Sequence, residues 1–228
     1  GERFGDPRGK QFVDLCGLPL MSWAILAFDR APSVARIVLV CASDRRAEAS
    51  SDVLSKLTLR CPVTIAPAGD TRQASVMSGL EAMPRGYELV AVHDAARPLI
   101  EVDDIERACV AVRADASLAG AVCAARSIDT LKLVEGDTIV ATPDRSLYWA
   151  AQTPQVFRTR ALVSAYRAAR HEGYQGTDDS SLVERHGGRV RVVETSRDNI
   201  KVTIPEDLAI VEATLEQRLV DSCGGETL

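Results

Sequence analysis

The chain has 228 residues, 46% of them hydrophobic and 26% charged, which is ordinary globular composition and enough length to bury one sizeable core. Its net charge of −5 excludes a nonspecific nucleic-acid binder, because such a protein needs a basic face to displace counterions from phosphates. Any phosphate chemistry must rest on local clusters of Lys and Arg.

The opening segment, Gly1-Glu2-Arg3-Phe4-Gly5-Asp6-Pro7-Arg8-Gly9-Lys10-Gln11, is Gly-rich and carries three cations. That suits a loop whose backbone approaches a polyphosphate, and it equally suits a solvated tail. It begins without Met and reads as the end of a loop, so a first strand is expected ahead of it. Strand-like runs follow at Arg36 to Ala42, Pro62 to Ala66, Tyr87 to His93 and Gly120 to Ala125. Between them, Pro19 to Arg30, Asp44 to Leu57, Thr71 to Met83 and Asp103 to Val112 carry apolar residues at helical spacing, with Asp103 or a neighbour as a cap for the fourth. The alternation predicts an α/β fold, a doubly wound and mostly parallel Rossmann-like sheet in one domain.

From Arg126 to Phe157 the pattern breaks into short β-prone pieces, Thr130 to Val134 and Thr138 to Ala141, joined by Glu135-Gly136-Asp137. This reads as a protruding hairpin. Helices at Thr159 to His171 and Asp178 to Glu184, a strand at Arg189 to Glu194 and a helix from Pro205 to about Leu219 complete the chain. Proline fits the first turn of that last helix, where its missing N–H costs nothing.

No apolar run approaches membrane-spanning length, the opening carries no signal-peptide pattern, and no membrane partner is expected. Cys16, Cys41, Cys61, Cys109, Cys123 and Cys223 are scattered, without a CxxC pair and away from His93, His171 and His186. They read as reduced thiols of a cytoplasmic protein, a structural disulfide being the rarer alternative there.

Two loops carry candidate chemistry. Val92-His93-Asp94-Ala95-Ala96-Arg97-Pro98 follows an apolar strand and so sits at a carboxyl edge, where doubly wound sheets bind ligands. Asp94 there could hold a magnesium ion or simply cap the following turn. Arg197-Asp198-Asn199-Ile200-Lys201-Val202-Thr203 puts a carboxylate, an amide and an amine in one loop. Lys201 could neutralise a phosphate and Asp198 could join Asp94 at a metal, or the loop could be a salt-bridged surface turn.

Together the strings HDAARP at 93–98, DT at 129–130, TPQVF at 153–157, TDD at 177–179 and DNIKVT at 198–203 resemble the 2-C-methyl-D-erythritol 4-phosphate cytidylyltransferases in order and spacing over the whole chain. The resemblance implies transfer of CMP from CTP to a small polyol phosphate. In that family a loop of the form Ala-Ala-Gly-x-Gly-x-Arg wraps the triphosphate, and only its end is present here, as Gly1-Glu2-Arg3. Arg3 and Lys10 then look like the cations that hold phosphates, with Gly1 and Ala95 beside the nucleotide, Asp94 and Asp198 at Mg2+, and Lys201 at the reacting phosphate. Gly9 stands where the family usually has Pro, which implies a freer loop.

Gly69-Asp70-Thr71-Arg72-Gln73-Ala74-Ser75 resembles the segment that recognises cytosine, through Gly69, Asp70 and Ser75. Ser75 could otherwise merely start a helix face. The resemblance further implies that Thr130, Arg145 and Thr177 grip the acceptor phosphate, and that the 126–157 hairpin embraces a second subunit in a homodimer. Two rivals stay open: a ribitol-5-phosphate cytidylyltransferase, and a non-catalytic dimerising homologue that lost its phosphate loop.

Overall fold

A computed structural model describes Phe4 and residues 9–224, with the side chains of 222–224 excepted. Gly1 and Arg3 lie outside the described residues. After a 3₁₀ turn at Lys10–Phe12, β1 (Asp14–Leu15) and β2 (Leu18–Pro19) form a small antiparallel pair that leads into α1 (Leu20–Arg30). β3 (Ile37–Cys41) and β4 (Val63–Pro67) pair in parallel. The helix expected between them is a broken run: a 3₁₀ turn at Ser43–Arg45, α2 (Arg46–Glu48), a π turn at Ala49–Val53 and a 3₁₀ turn at Leu54–Lys56. Its buried residues, Ala49 and Val53, still pack on Leu39, Met21 and Ile25.

The main sheet contains β5 (Leu89–Val92), β6 (Leu118–Arg126), β9 (Trp149–Arg158) and β10 (Arg189–Glu194), in the order β10-β6-β9-β5. β10 runs parallel to β6, whereas β9 runs antiparallel to both of its neighbours. β9 is the element that periodicity missed, because Pro154 sits within it and proline normally marks an edge strand. It is tolerated because the β6 ladder is interrupted there: Val122 pairs with Gln155 and Ala124 with Ala151, so residues 152–154 lie in an irregularity. The Thr153–Pro154 peptide is cis.

Both faces of this sheet are covered, as strand alternation requires. Val90, Val92 and Phe157 pack with α3 (Arg72–Ala82), α5 (Thr159–Glu172) and α6 (Asp179–Arg185), whereas Leu89, Ala91 and Val156 pack with α4 (Val102–Ala114). The cap of α4 differs from expectation. The helix starts at Val102 after Glu101, which makes no side-chain cap, and Asp103 instead pairs with Arg107 one turn on, at 2.9 Å. α7 (Glu206–Gly224) closes the fold through Val211 and Leu215 against Leu15, Leu20 and Leu99. None of the described helices is long and apolar enough to cross a membrane.

β7 (Leu133–Glu135) and β8 (Thr138–Ala141) form the expected hairpin, and every residue of both strands is exposed. Between β3 and β5 lies a cavity of about 1080 Å³, walled by Ile37–Cys41 on one side and Leu89–Val92 on the other, with Met21, Ile25 and Leu80 among its lining. Close-packed interiors hold few voids larger than a water molecule, so an apolar gap of this size between two strand edges is the fold's most abnormal feature.

Candidate active site

Four segments remote in sequence meet at the carboxyl end of β5. Arg97 Nη1 donates to Asn199 O at 2.6 Å, and Val202 N donates to Ala96 O at 2.8 Å. Lys201 Nζ donates to Asp94 Oδ2 at 2.7 Å, and Lys10 Nζ to Val202 O at 2.6 Å. Asn199, itself buried, donates to Gln152 Oε1 and Thr153 O at 2.9 Å each. The strings HDAARP, TPQVF and DNIKVT are therefore three sides of one site, and Lys10 reaches its rim.

His93 is a neutral pivot within it. Its Nε2 lies 3.1 Å from Arg97 O, which can only accept, so Nε2 carries the proton. Nδ1 then accepts from the Thr153 hydroxyl at 3.0 Å, and that hydroxyl oxygen accepts Asp94 N–H at 3.0 Å. Burial pushes the imidazole pKa down to about 4, which keeps this arrangement neutral at physiological pH.

Asp94 is held between two cations. Lys201 takes Oδ2, and Arg72 Nε stands 3.7 Å from Oδ1. Burial alone would raise the carboxyl pKa, but the Lys201 bond and the nearby Arg72 outweigh it and hold the group below its ordinary range. Arg72 Nη2 also donates to Asp179 at 2.7 Å, and Asp179 accepts a short bond from the Tyr166 hydroxyl. An ionic line thus runs Lys201, Asp94, Arg72, Asp179, and ends at Tyr166 in the core.

Gly69 and Ser75 come together as expected. Gly69 N donates to Ser75 Oγ at 3.1 Å, and Ser75 Oγ donates to Thr71 O at 2.9 Å, while the Thr71 side chain caps α3 by accepting from Ala74 N. A Cβ on Gly69 would stand 2.6 Å from Ala74 Cβ, so only glycine lets this loop lie on the helix start. Asp70 is exposed beside it. Ala95 packs partly against the β3 and β4 core and lines the large cavity, as do Ser75, Arg72 and Asp94.

Other expected residues are placed differently. Asp198 Oδ2 accepts from Ser196 Oγ at 2.9 Å, inside its own turn. Among the described residues Asp94 belongs to no group of three potential metal ligands, a grouping that a pair of carboxylates alone would not form. Thr177 is exposed, but its loop is tethered to α3 because the Gln73 side chain donates to Tyr174 O and accepts Gly176 N. Arg145 donates to Ile128 O at 2.7 Å, close in sequence to exposed Thr130. Both lie in the arm region, joined by no hydrogen bond or ion pair to Asp94. Gly9 has φ +87°, a conformation closed to proline; the freer loop expected there is a backbone shape that the usual residue could not take.

Arg72, Arg97, Thr153 and Asp179 stand within the segments that carry the resemblance, and nothing in the sequence assigns them a role. The signal was there, since a motif's unassigned polar members are those that fold back on its named ones.

Known proteins resemble this chain in sequence and in fold. The sequence model of IspD, 2-C-methyl-D-erythritol 4-phosphate cytidylyltransferase, matches residues 1–217. A 2-C-methyl-D-erythritol 4-phosphate cytidylyltransferase of Geobacillus kaustophilus is 38% identical over 221 residues, covering 97% of this chain and 95% of that one. Among solved structures, the 4-diphosphocytidyl-2C-methyl-D-erythritol synthase of Anaerococcus prevotii superposes with a TM-score of 0.83 at 26% identity, covering 94% of this chain and 93% of its own. The 2-C-methyl-D-erythritol 4-phosphate cytidylyltransferase of Thermus thermophilus gives 0.74 at 30% identity, with coverage of 91% and 94%. With a family match through residues 1–217 and relatives of this identity over almost their full length, the chain belongs to the 2-C-methyl-D-erythritol 4-phosphate cytidylyltransferase family.

Proposed function

We propose that the chain transfers CMP from CTP to 2-C-methyl-D-erythritol 4-phosphate, releasing pyrophosphate, as a step of non-mevalonate isoprenoid precursor synthesis. The observation that carries this reading is the meeting of Lys10, Lys201 and Asp94 at one strand end, near the paired Gly69 and Ser75. The nucleophile is an acceptor phosphate oxygen already ionised at neutral pH, so no general base is required. CTP brings about four negative charges and the acceptor about two, and an in-line attack at the α-phosphorus needs cations that hold both together. Lys10, Arg3 and Lys201 serve the phosphates; Gly69, Asp70 and Ser75, with Gly1 and Ala95, serve the nucleoside end.

Asp94 fits a magnesium ion. It is an ionised carboxylate facing a cavity, and Mg2+ commonly takes one or two carboxylates with substrate phosphates completing its shell. Bound there, the ion would neutralise phosphate charge. Asp198 is the second carboxylate assigned to the ion in this reading.

Thr130, Arg145 and Thr177 are assigned to the acceptor. Arginine suits a phosphate because its fork donates two parallel hydrogen bonds. Side-by-side turnover is expected to favour 2-C-methyl-D-erythritol 4-phosphate over ribitol 5-phosphate by at least about tenfold in kcat/KM, a difference of about 1.4 kcal/mol. Equal or reversed preference would hand the site to the ribitol reading. A chain with a completed sheet that turns over neither acceptor would favour the non-catalytic one.

The working form is a homodimer in which the arm crosses to its partner. Support comes from apolar side chains on the arm that nothing covers: Leu133 is 57% exposed, Ile139 58% and Leu147 77%. A two-stranded hairpin is marginal alone in water, and a two-fold partner supplies the surface it lacks. Mixing a Lys10→Ala chain with an Arg145→Ala chain, each inactive alone, should restore about a quarter of the sites after random exchange, because every mixed dimer then holds one intact site. Background activity after verified exchange would place both residues in the same subunit and end the shared-site reading.

The cavity between β3 and β5 is read as the seat of one further strand, joined ahead of Gly1 and leading into the phosphate loop. What supports this is that both walls are strand edges without a partner on that side among the described residues, and that Gly9, Gln11 and Phe12 line the same cavity. A cytoplasmic, reducing location accords with the described cysteines, Cys16, Cys41, Cys61, Cys109 and Cys123, all being free thiols.

A further inference from the structure

Asp179 is completely buried at the first turn of α6, and a carboxylate there survives only with partners that offset its desolvation. It has two. The Tyr166 hydroxyl, itself buried in the core of α5, donates to Oδ1, and Arg72 Nη2 donates to Oδ2 at 2.7 Å. The helix start that carries Asp179 is rigidly docked. Asp178 and Ser181 form a reciprocal capping box, and Gln155 of β9 donates to Asp178 at 2.7 Å while accepting Ser180 N at 3.0 Å.

The other end of Arg72 faces Asp94, but at 3.7 Å from Nε to Oδ1. That is well beyond the roughly 2.7–2.9 Å of a charge-assisted hydrogen bond. A guanidinium with one anion beside it closes on that anion. Here it has two, and the better bond, 2.7 Å, goes to Asp179.

We propose that Asp179 and Tyr166 are positioning residues, which hold Arg72 beside Asp94 without letting it close on the carboxylate. The proposal rests on the reading of Asp94 as the residue that meets magnesium and phosphate. Arg72 then braces Asp94 on one side as Lys201 does on the other, and the carboxylate keeps a free face toward the cavity. Without Asp179, Arg72 has Asp94 as its nearest anion and occupies that face.

The test uses the full-length protein. Asp179→Asn keeps the shape and removes the charge; it should lower kcat at least about tenfold with the KM for CTP within about threefold, since the loss falls on the reacting arrangement rather than on nucleotide grip. Mn2+ affinity measured by electron paramagnetic resonance in the presence of CTP should fall alongside. Adding Arg72→Ala to Asp179→Asn should relieve the defect, so that the double variant is no slower than Arg72→Ala alone; a purely structural role for Asp179 predicts additive losses. Tyr166→Phe, which removes one donor and keeps the ring, should give the same pattern more weakly. If Asp179→Asn does not fold, Tyr166→Phe in the presence and absence of Arg72→Ala carries the test. Folded Asp179→Asn or Tyr166→Phe variants with kcat within twofold of the parent and unchanged Mn2+ affinity overturn the proposal, whatever happens to the melting temperature. A parent chain that binds Mn2+ with CTP but transfers no CMP sinks the function instead, and the Mn2+ comparison still decides the positioning role.

Discussion

A chain carrying an apolar strand ahead of Gly1 should exceed the chain that begins at Gly1 by at least about 100-fold in kcat/KM, the scale on which loss of even one preorganised donor is felt. The physical ground is the divided sheet. Among the described residues β3 pairs only with β4 and β5 only with β9, and the strand edges facing the cavity of about 1080 Å³ have no ladder partner among them. Unpaired edges expose N–H and C=O groups that a sheet normally satisfies or covers. An inserted strand would satisfy both at once, and it would bring the phosphate loop to the same carboxyl edge as Asp94. Expression with the upstream coding segment checks this, together with hydrogen exchange of the β3 and β5 amides, whose protection should rise. Equal turnover and equal protection in the two chains would mean that the cavity has another purpose.

In the completed chain, Lys201→Ala should lower kcat by about 10²- to 10³-fold, while CTP binding weakens much less. The amine stands 2.7 Å from Asp94 on a loop locked to the site by Arg97, Ala96 and Asn199, so it is aimed rather than merely nearby. An interaction that strengthens as charge develops at the α-phosphate acts on kcat; one that binds ground state and transition state alike acts on KM. Steady-state kinetics with a separate CTP titration separates the two. A rate within twofold of the parent would reduce Lys201 to the surface ion pair that an exposed loop lysine usually makes.

Much of the molecule is legible in its sequence. Local apolar periodicity was enough for β3, β4, β5, α1, α3 and α5, because each buries one face or stripe and repeats accordingly. The hairpin of β7 and β8 was legible from Glu135-Gly136-Asp137, whose glycine adopts a positive φ. The loops around Asp94 and Lys201 stood out by residue type as candidates, and the resemblance to the family added the segment around Gly69.

Other features depend on partners distant in sequence. β9 as an antiparallel strand between β5 and β6 escaped notice because its proline is tolerated only where the β6 ladder is interrupted, and that interruption is a property of the pair. Asp198 and Asp94 have the same chemistry on paper; a bond from Ser196 holds one within its own turn, and a bond from Lys201 holds the other. The spacing of Arg72 from Asp94 follows from Asp179 and Tyr166, 107 and 94 positions along the chain from Arg72. Periodicity is a record of burial against one face and survives in a single sequence, so the sequence alone determined most of the elements and pointed to candidates for the site. Charge balance at a carboxylate is a sum over whatever the fold brings near, so only the tertiary structure decided which acid faces the cavity and what holds it there.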